Sequence, residues 1–254
     1  MAKNPTTALV TGGARRIGAA IASDLSAAGF AVAIHYHGSD RDARELAEAL
    51  NDKGGKVALV RADLTDMDAV GRILPEAEEA LGPVGLLVNN ASIFADDQVT
   101  DFGWETWERH FAVHLKAPVE LSRLFARALP EGEDGLIVNM IDQRVWKLSP
   151  RTFTYTLSKS ALWTATRTMA QALAPRIRVN AIGPGPALQG ERQTKADFDA
   201  QVRAVLLGKA PELSEFGATI RYLWDTPSVT GQMIALDGGQ HLAWQTPDVT
   251  GIRE

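Results

Sequence analysis

Seven short runs rich in apolar and β-branched residues recur along the chain: TTALV, FAVAIHY, KVALVRA, GLLVNN, GLIVNM, RIRVNAI and QMIALD. Longer stretches of helical periodicity separate them, which is the pattern of repeated βαβ units. Strands in such units are buried on both faces, so they read as near-continuous apolar runs. Between the first two runs, IGAAIASDLSAAGF spaces its apolar residues as a helix does, and Gly29 is placed to end it. The expected fold is α/β: a doubly wound sheet of seven mainly parallel strands with helices on both faces. No Pro/Ser-rich linker or internal repeat interrupts the alternation, and 254 residues suit one large core, so 1–254 is read as a single domain. The longest insertion between strands, about 185–211, is expected to be a mobile flap with helical content. A C-terminal tail, about 241–254, follows the last strand.

The composition narrows the chemistry. There is no cysteine, which excludes disulfides, thiolate metal sites and cysteine nucleophiles and suits a cytoplasmic protein. MAKNPTTALV has no apolar signal region, and no run approaches the ~18 apolar residues of a membrane span. A formal net charge of -5 argues against an extended nucleic-acid surface. A small-molecule partner is expected, with no nucleic acid and no membrane.

The strand ends carry TGG, HYHGSD, ADL, NNAS, MIDQR and GPG. In an open parallel sheet, ligands bind outside the carboxyl ends of the strands, so these segments share one crevice. A glycine turn opening a helix, as in TGGARRIG, sets backbone N–H groups and the helix dipole against a pyrophosphate. Its spacing does not fit G-x-G-x-x-G, and an ordinary turn is equally compatible with the octapeptide alone. In YTLSK, Tyr155 and Lys159 are an i, i+4 pair on one helix face. An ammonium beside a phenol is expected to lower the phenol pKa and make it an acid or base nearer neutral pH.

The glycine turn, NNAS, YTLSK and GPG, in that order, resemble the short-chain dehydrogenase/reductase family from about Thr6 to Gly239. The resemblance implies one Rossmann-type domain, a nicotinamide cofactor and no metal. It makes Tyr155 the proton donor and has Lys159 hold the nicotinamide ribose. Cofactor contacts are implied at Gly12, Ile17 and Gly18 of the turn, at Asp63 and Leu64 beside the adenine, at Asn89 and Ala91, and at Pro184 and Gly185. It also implies a homotetramer.

Two departures refine this picture. Thirteen residues before Tyr155, where the family usually has a serine that binds a substrate carbonyl, stands Asp142. An ionised carboxylate repels a developing oxyanion, whereas one that is protonated or paired with a basic ring nitrogen can supply a proton. A nitrogen-containing substrate is expected; the alternative is a solvated carboxylate in a degenerate site. Arg16 stands at the family's usual middle glycine. Together ARRIG, HYHGSD, NNASIF, NMID and YTLSK resemble the pteridine reductase branch and the related bacterial dihydromonapterin reductases. That resemblance implies that Arg16 bridges cofactor phosphate and pterin, Ser92 contacts both, Phe94 stacks on the pterin opposite the nicotinamide, and Asp142 and Tyr155 share proton delivery.

The second strand ends without the acidic residue that binds the adenosine ribose in NAD-specific proteins. NADPH is therefore expected, with Arg15, His37 and Ser39 around the 2′-phosphate and Arg41 a further candidate. Gly38, where the branch often has a basic residue, and the nearby Asp40 weaken that site. His35 is expected to face the core. His114 stands where most of the family has an asparagine that organises a water chain to the lysine. The leading function is NADPH-dependent reduction of a dihydropterin to a tetrahydropterin. The alternatives are a ketone or imine reductase of other specificity and a non-catalytic NADPH-binding redox sensor.

Overall fold

The computed structural model describes residues 6–190 and 193–251. Residues 1–5 of the opening decapeptide, 191–192 of the expected flap and 252–254 of the expected tail lie outside the described residues.

Seven strands form one sheet in the order β3-β2-β1-β4-β5-β6-β7. They are β1 (Thr7–Val10), β2 (Ala31–Tyr36), β3 (Lys56–Arg61), β4 (Val84–Asn89), β5 (Gly135–Met140), β6 (Ile177–Pro184) and β7 (Met233–Leu236). Every pairing is parallel, where the sequence predicts a mainly parallel sheet. All the carboxyl ends of the strands therefore open at one edge. The order reverses between β1 and β4, and this switch point is where such sheets leave a crevice.

Among the described residues eight α-helices surround the sheet: α1 (Arg16–Ala27), α2 (Asp40–Asn51), α3 (Met67–Leu81), α4 (Trp104–Phe111), α5 (Ala117–Ala128), α6 (Phe153–Leu173), α7 (Lys195–Arg203) and α8 (Leu213–Asp225). Strand alternation feeds two cores. Ala8, Val10, Val32, Ile34, Leu86 and Val88 pack on one face with Ile21, Leu25 and Phe216, while Leu9, Ala33 and Leu87 pack on the other with Ile73, Leu121 and Phe125. Each fully buried Leu, Ile or Phe stabilises the fold by roughly 1.5–3 kcal/mol, which is why both faces need helices. Gly29 follows α1 at φ 91°, with Phe30 N–H returning to the Leu25 carbonyl, so it ends the helix as expected.

The insertion after β6 contains α7, which gives the flap its helical content. Among the described residues no helix is long and apolar enough to cross a membrane.

Candidate active site

The glycine turn lies at the switch point and is built by close contacts. Gly12 has φ 59°, and a Cβ there would stand 2.9 Å from Ala91 Cα; a Cβ on Gly18 would stand 2.1 Å from the Gly12 carbonyl oxygen. Only glycine lets the start of α1 seat on the turn. Arg16 also takes a left-handed conformation, φ 55°, which favours glycine. A side chain thus stands on a backbone conformation that glycine adopts most easily, and its Nη2 donates to the Gln189 carbonyl at 3.1 Å in the flap. The N-terminus of α1 has no side-chain cap and no acidic residue in its first turn. Its leading N–H groups thus face a cavity of about 440 Å³ lined by Gly12, Arg15, Ile17, His37, Leu64 and Ser92, among others. That arrangement fits a phosphate.

His35 braces the turn from beneath. It is buried, as expected. Its Nδ1 accepts from Gly12 N–H at 3.2 Å, so Nε2 carries the proton and donates to the Ala62 carbonyl at 3.2 Å. Burial brings its pKa down to about 4. Farther out, Arg15 lies 3.9 Å from Asp42, Arg41 binds Glu45 at 2.7 Å, and His37 lies 3.8 Å from Asp63. Asp40 faces two cations, Arg44 at 4.0 Å and Arg61 at 3.7 Å, which offset the charge that weakens the phosphate site. Asp63 accepts the N–H and hydroxyl of Thr65, and the Thr65 N–H holds its carboxyl below the usual range. Ser39 and Asp63 also line the cavity.

The two side chains of the NN doublet go to different places. The Asn89 side chain is buried and donates to Asn139 Oδ1 at 2.8 Å, leaving only its backbone for a cofactor. Asn90 instead lines the cavity, donating from Nδ2 to the carbonyls of Thr11 and Gly12. Thr11 Oγ1 in turn accepts from the N–H groups of Asn90 and Ala91. Pro184 ends β6 and Gly185 follows it, where a Cβ would meet Asp237 Cα at 2.6 Å; the pair packs on the β7 end rather than lining this cavity.

Beyond the turn stand Asp142, Tyr155 and Lys159, all buried. Asp142 precedes a 3₁₀ turn, Gln143–Val145, and caps it: Oδ1 accepts from Arg144 N–H at 2.8 Å. Its Oδ2 receives the Tyr155 hydroxyl at 3.0 Å and Arg144 Nη1 at 3.0 Å. It is therefore not the solvated carboxylate of the alternative reading. Lys159 Nζ donates to the Met140 carbonyl at 2.8 Å, and burial lowers its pKa to about 8 against the opposing charge of Asp142.

The effect expected of the Tyr155–Lys159 spacing is reversed. Burial raises the phenol well above its ordinary value and the Asp142 charge pushes it further, while Arg144 and Ser92 act the other way. A phenol in this setting is held protonated and donates. The lysine lies 5.8 Å from the tyrosine ring centroid, and sequence spacing carries no information about how deeply the pair is buried.

Phe94 packs edge-on against Tyr155 with centroids 5.0 Å apart and remains half-exposed. A π turn, Ala112–Lys116, interrupts the helical run after α4 and carries His114, a feature common at functional sites. His114 Nε2 accepts from Ile93 N–H at 3.1 Å and lies 3.1 Å from Ser92 Oγ; Nδ1 contacts Ser158 Oγ at 2.8 Å. Its ring ties the NNASIF loop to α6. No bond joins it to Lys159 among those described, and burial keeps it well below the usual histidine range. Arg144, Asn90, Thr11 and His110, whose Nδ1 meets Thr154 Oγ1 at 2.7 Å, are neighbours that sequence reasoning missed. For Arg144 the available signal was an acidic residue two places before a basic one at a strand end.

A glycine turn at the switch point of a doubly wound parallel sheet, with a buried Tyr–Lys pair beyond it, defines a nucleotide-fold oxidoreductase. The short chain dehydrogenase family matches residues 6–198, and the chain belongs to that family. It is 57% identical to FolM Alternative dihydrofolate reductase 1 from Brucella canis, solved complexed with NADP, with a TM-score of 0.95 and coverage of 97% of this chain and 98% of that one. The corresponding protein from Brucella suis, also in complex with NADP, is 58% identical with a TM-score of 0.94, covering 98% and 99%. A short-chain type dehydrogenase/reductase from Picea abies is 30% identical over 247 residues, 92% of this chain and 91% of that protein.

Proposed function

We propose that the chain is an NADPH-dependent reductase of a reduced pterin-like ring, taking dihydropterin to tetrahydropterin. The observation that carries this reading is the Asp142–Tyr155 hydrogen bond beside the exposed face of Phe94. A carboxylate with a phenol is a poor cradle for a ketone oxyanion and a good one for a nitrogen heterocycle that must gain a proton. The likeness to two proteins described as dihydrofolate reductases and solved with NADP supports the same reading, since dihydrofolate carries a dihydropterin ring.

NADPH, when bound, supplies the hydride. The chain's own residues bind, orient and protonate. The uncapped start of α1 and Arg15 would receive the phosphates. Lys159, anchored on the Met140 carbonyl, would hold the ribose hydroxyls. Arg16 and Ser92 both line the cavity and would contact both phosphate and ring. Phe94 offers one wall of a flat slot, which suits a planar bicycle and gains little from a small ketone. The Tyr155 O–H, kept protonated by its surroundings, delivers the proton to the ring nitrogen, while Asp142 receives ring N–H groups and fixes their orientation.

The test is an NADPH-oxidation screen of the purified protein against dihydropterins, oxidised pterins, dihydrofolate and simple ketones. Steady oxidation with dihydropterins or dihydrofolate supports the proposal. Oxidation with ketones alone, or with nothing, rejects it.

A further inference from the structure

Proton delivery by Tyr155 and Asp142 leaves Arg144 without a part, yet it contacts Asp142 and Phe94, the two side chains that flank Tyr155. Its backbone N–H holds Asp142 Oδ1 at 2.8 Å, and its Nη1 holds Oδ2, the same oxygen that receives the Tyr155 hydroxyl, at 3.0 Å. The carboxylate cannot rotate without breaking a charge-assisted bond. Meanwhile the guanidinium carbon lies 5.7 Å from the centroid of Phe94, whose edge contact with Tyr155 closes a circuit of four side chains. The Arg144 side chain is 28% exposed and that of Asp142 12%, so the ion pair is largely withdrawn from water.

We propose that Arg144 is a positioning residue: it locks Asp142 in the rotamer that receives the Tyr155 hydroxyl and, through Phe94, sets the proton-delivering pair against the aromatic wall of the substrate slot. This rests on the reading of Asp142 and Tyr155 as the delivering pair. A planar fork that bonds a carboxylate while lying over an aromatic ring is a property of arginine and not of lysine. The backbone N–H of residue 144 still holds Oδ1 when the side chain is lost, so the change is one of orientation at Oδ2 rather than of fold.

The experiment compares wild type with Arg144→Gln and Arg144→Lys. Crystal structures of the variants give the Asp142–Tyr155 distance directly, with no substrate needed. Kinetics use whichever compound of the NADPH-oxidation screen the wild type reduces, so the result stands even if that compound is not a pterin. In Arg144→Gln, Asp142 is expected to swing off the Tyr155 hydroxyl, with kcat lower by about tenfold. The KM for NADPH should stay within about twofold, because the residue does not meet the cofactor cavity. Arg144→Lys keeps the charge without the fork and is expected to recover only part of kcat. If Arg144→Gln keeps the Asp142–Tyr155 bond, or keeps wild-type kcat, or if Arg144→Lys restores kcat in full, the proposal is overturned.

Discussion

The Tyr155 hydroxyl donates to Oδ2 of Asp142 at 3.0 Å, inside a setting where both side chains are buried. The phenol is a donor at rest, and its ring packs edge-on against the half-exposed Phe94. Tyr155→Phe removes that proton while keeping the ring that packs on Phe94 and His114. Turnover is expected to fall to background, with NADPH affinity nearly unchanged because the hydroxyl serves the proton step. Cofactor titration by fluorescence alongside steady-state rates checks both halves; retained turnover removes Tyr155 from the mechanism.

His35 makes the fold sensitive to acid. Its pKa is lowered from 6.5 to about 4 in the folded state, chiefly by burial, so unfolded chains bind the proton more readily. The stability it permits is fully present above about pH 6.5 and is lost as the pH falls through about 4, a change of about 3 kcal/mol. Urea unfolding of wild type and His35→Gln near about pH 7 and about pH 4 checks this, since carboxylate contributions are common to both proteins. The variant is expected to lose less stability across the interval. Equal losses would show that His35 titrates normally.

The adenosine end should favour NADPH over NADH by roughly tenfold or more in kcat/KM, on the scale of about 1.5–3 kcal/mol for a charged contact to phosphate. Arg15→Ala is expected to erase most of that preference. The exposed Gly38 offers a second check: a Cβ there meets nothing within 4 Å, so Gly38→Arg adds a cation without a clash. It should lower the KM for NADPH several-fold and leave that for NADH unchanged. Equal use of both cofactors by the wild type contradicts the assignment of Arg15.

The strands were legible because parallel strands buried on both faces appear as near-continuous apolar runs, as GLLVNN and GLIVNM do. The glycine turn was legible because Gly12 and Gly18 stand where backbones touch. Which asparagine of the doublet faces the cavity was not, since Asn89 and Asn90 are adjacent and only the end of β4 decides their faces. Arg144 escaped notice because a 3₁₀ turn creates its contact with Asp142. The phenol's protonation was misjudged for a different reason: helical spacing brings Tyr155 and Lys159 together, but burial and the neighbouring carboxylate dominate, and neither is visible in i, i+4.

The claim that Asp142 adapts the site to a nitrogen heterocycle is tested most directly by steady-state kinetics of wild type and Asp142→Ser on a dihydropterin and on a simple ketone, with folding checked by NADPH binding. Serine restores the hydroxyl that the family usually holds there and removes the carboxylate that receives Tyr155 and Arg144. Dihydropterin turnover is expected to fall by about tenfold or more, the usual scale for losing a positioned acid or base, while any trace ketone activity is spared or improved. A wild type that reduces ketones efficiently and ignores every pterin, or a variant that keeps full pterin activity, contradicts it.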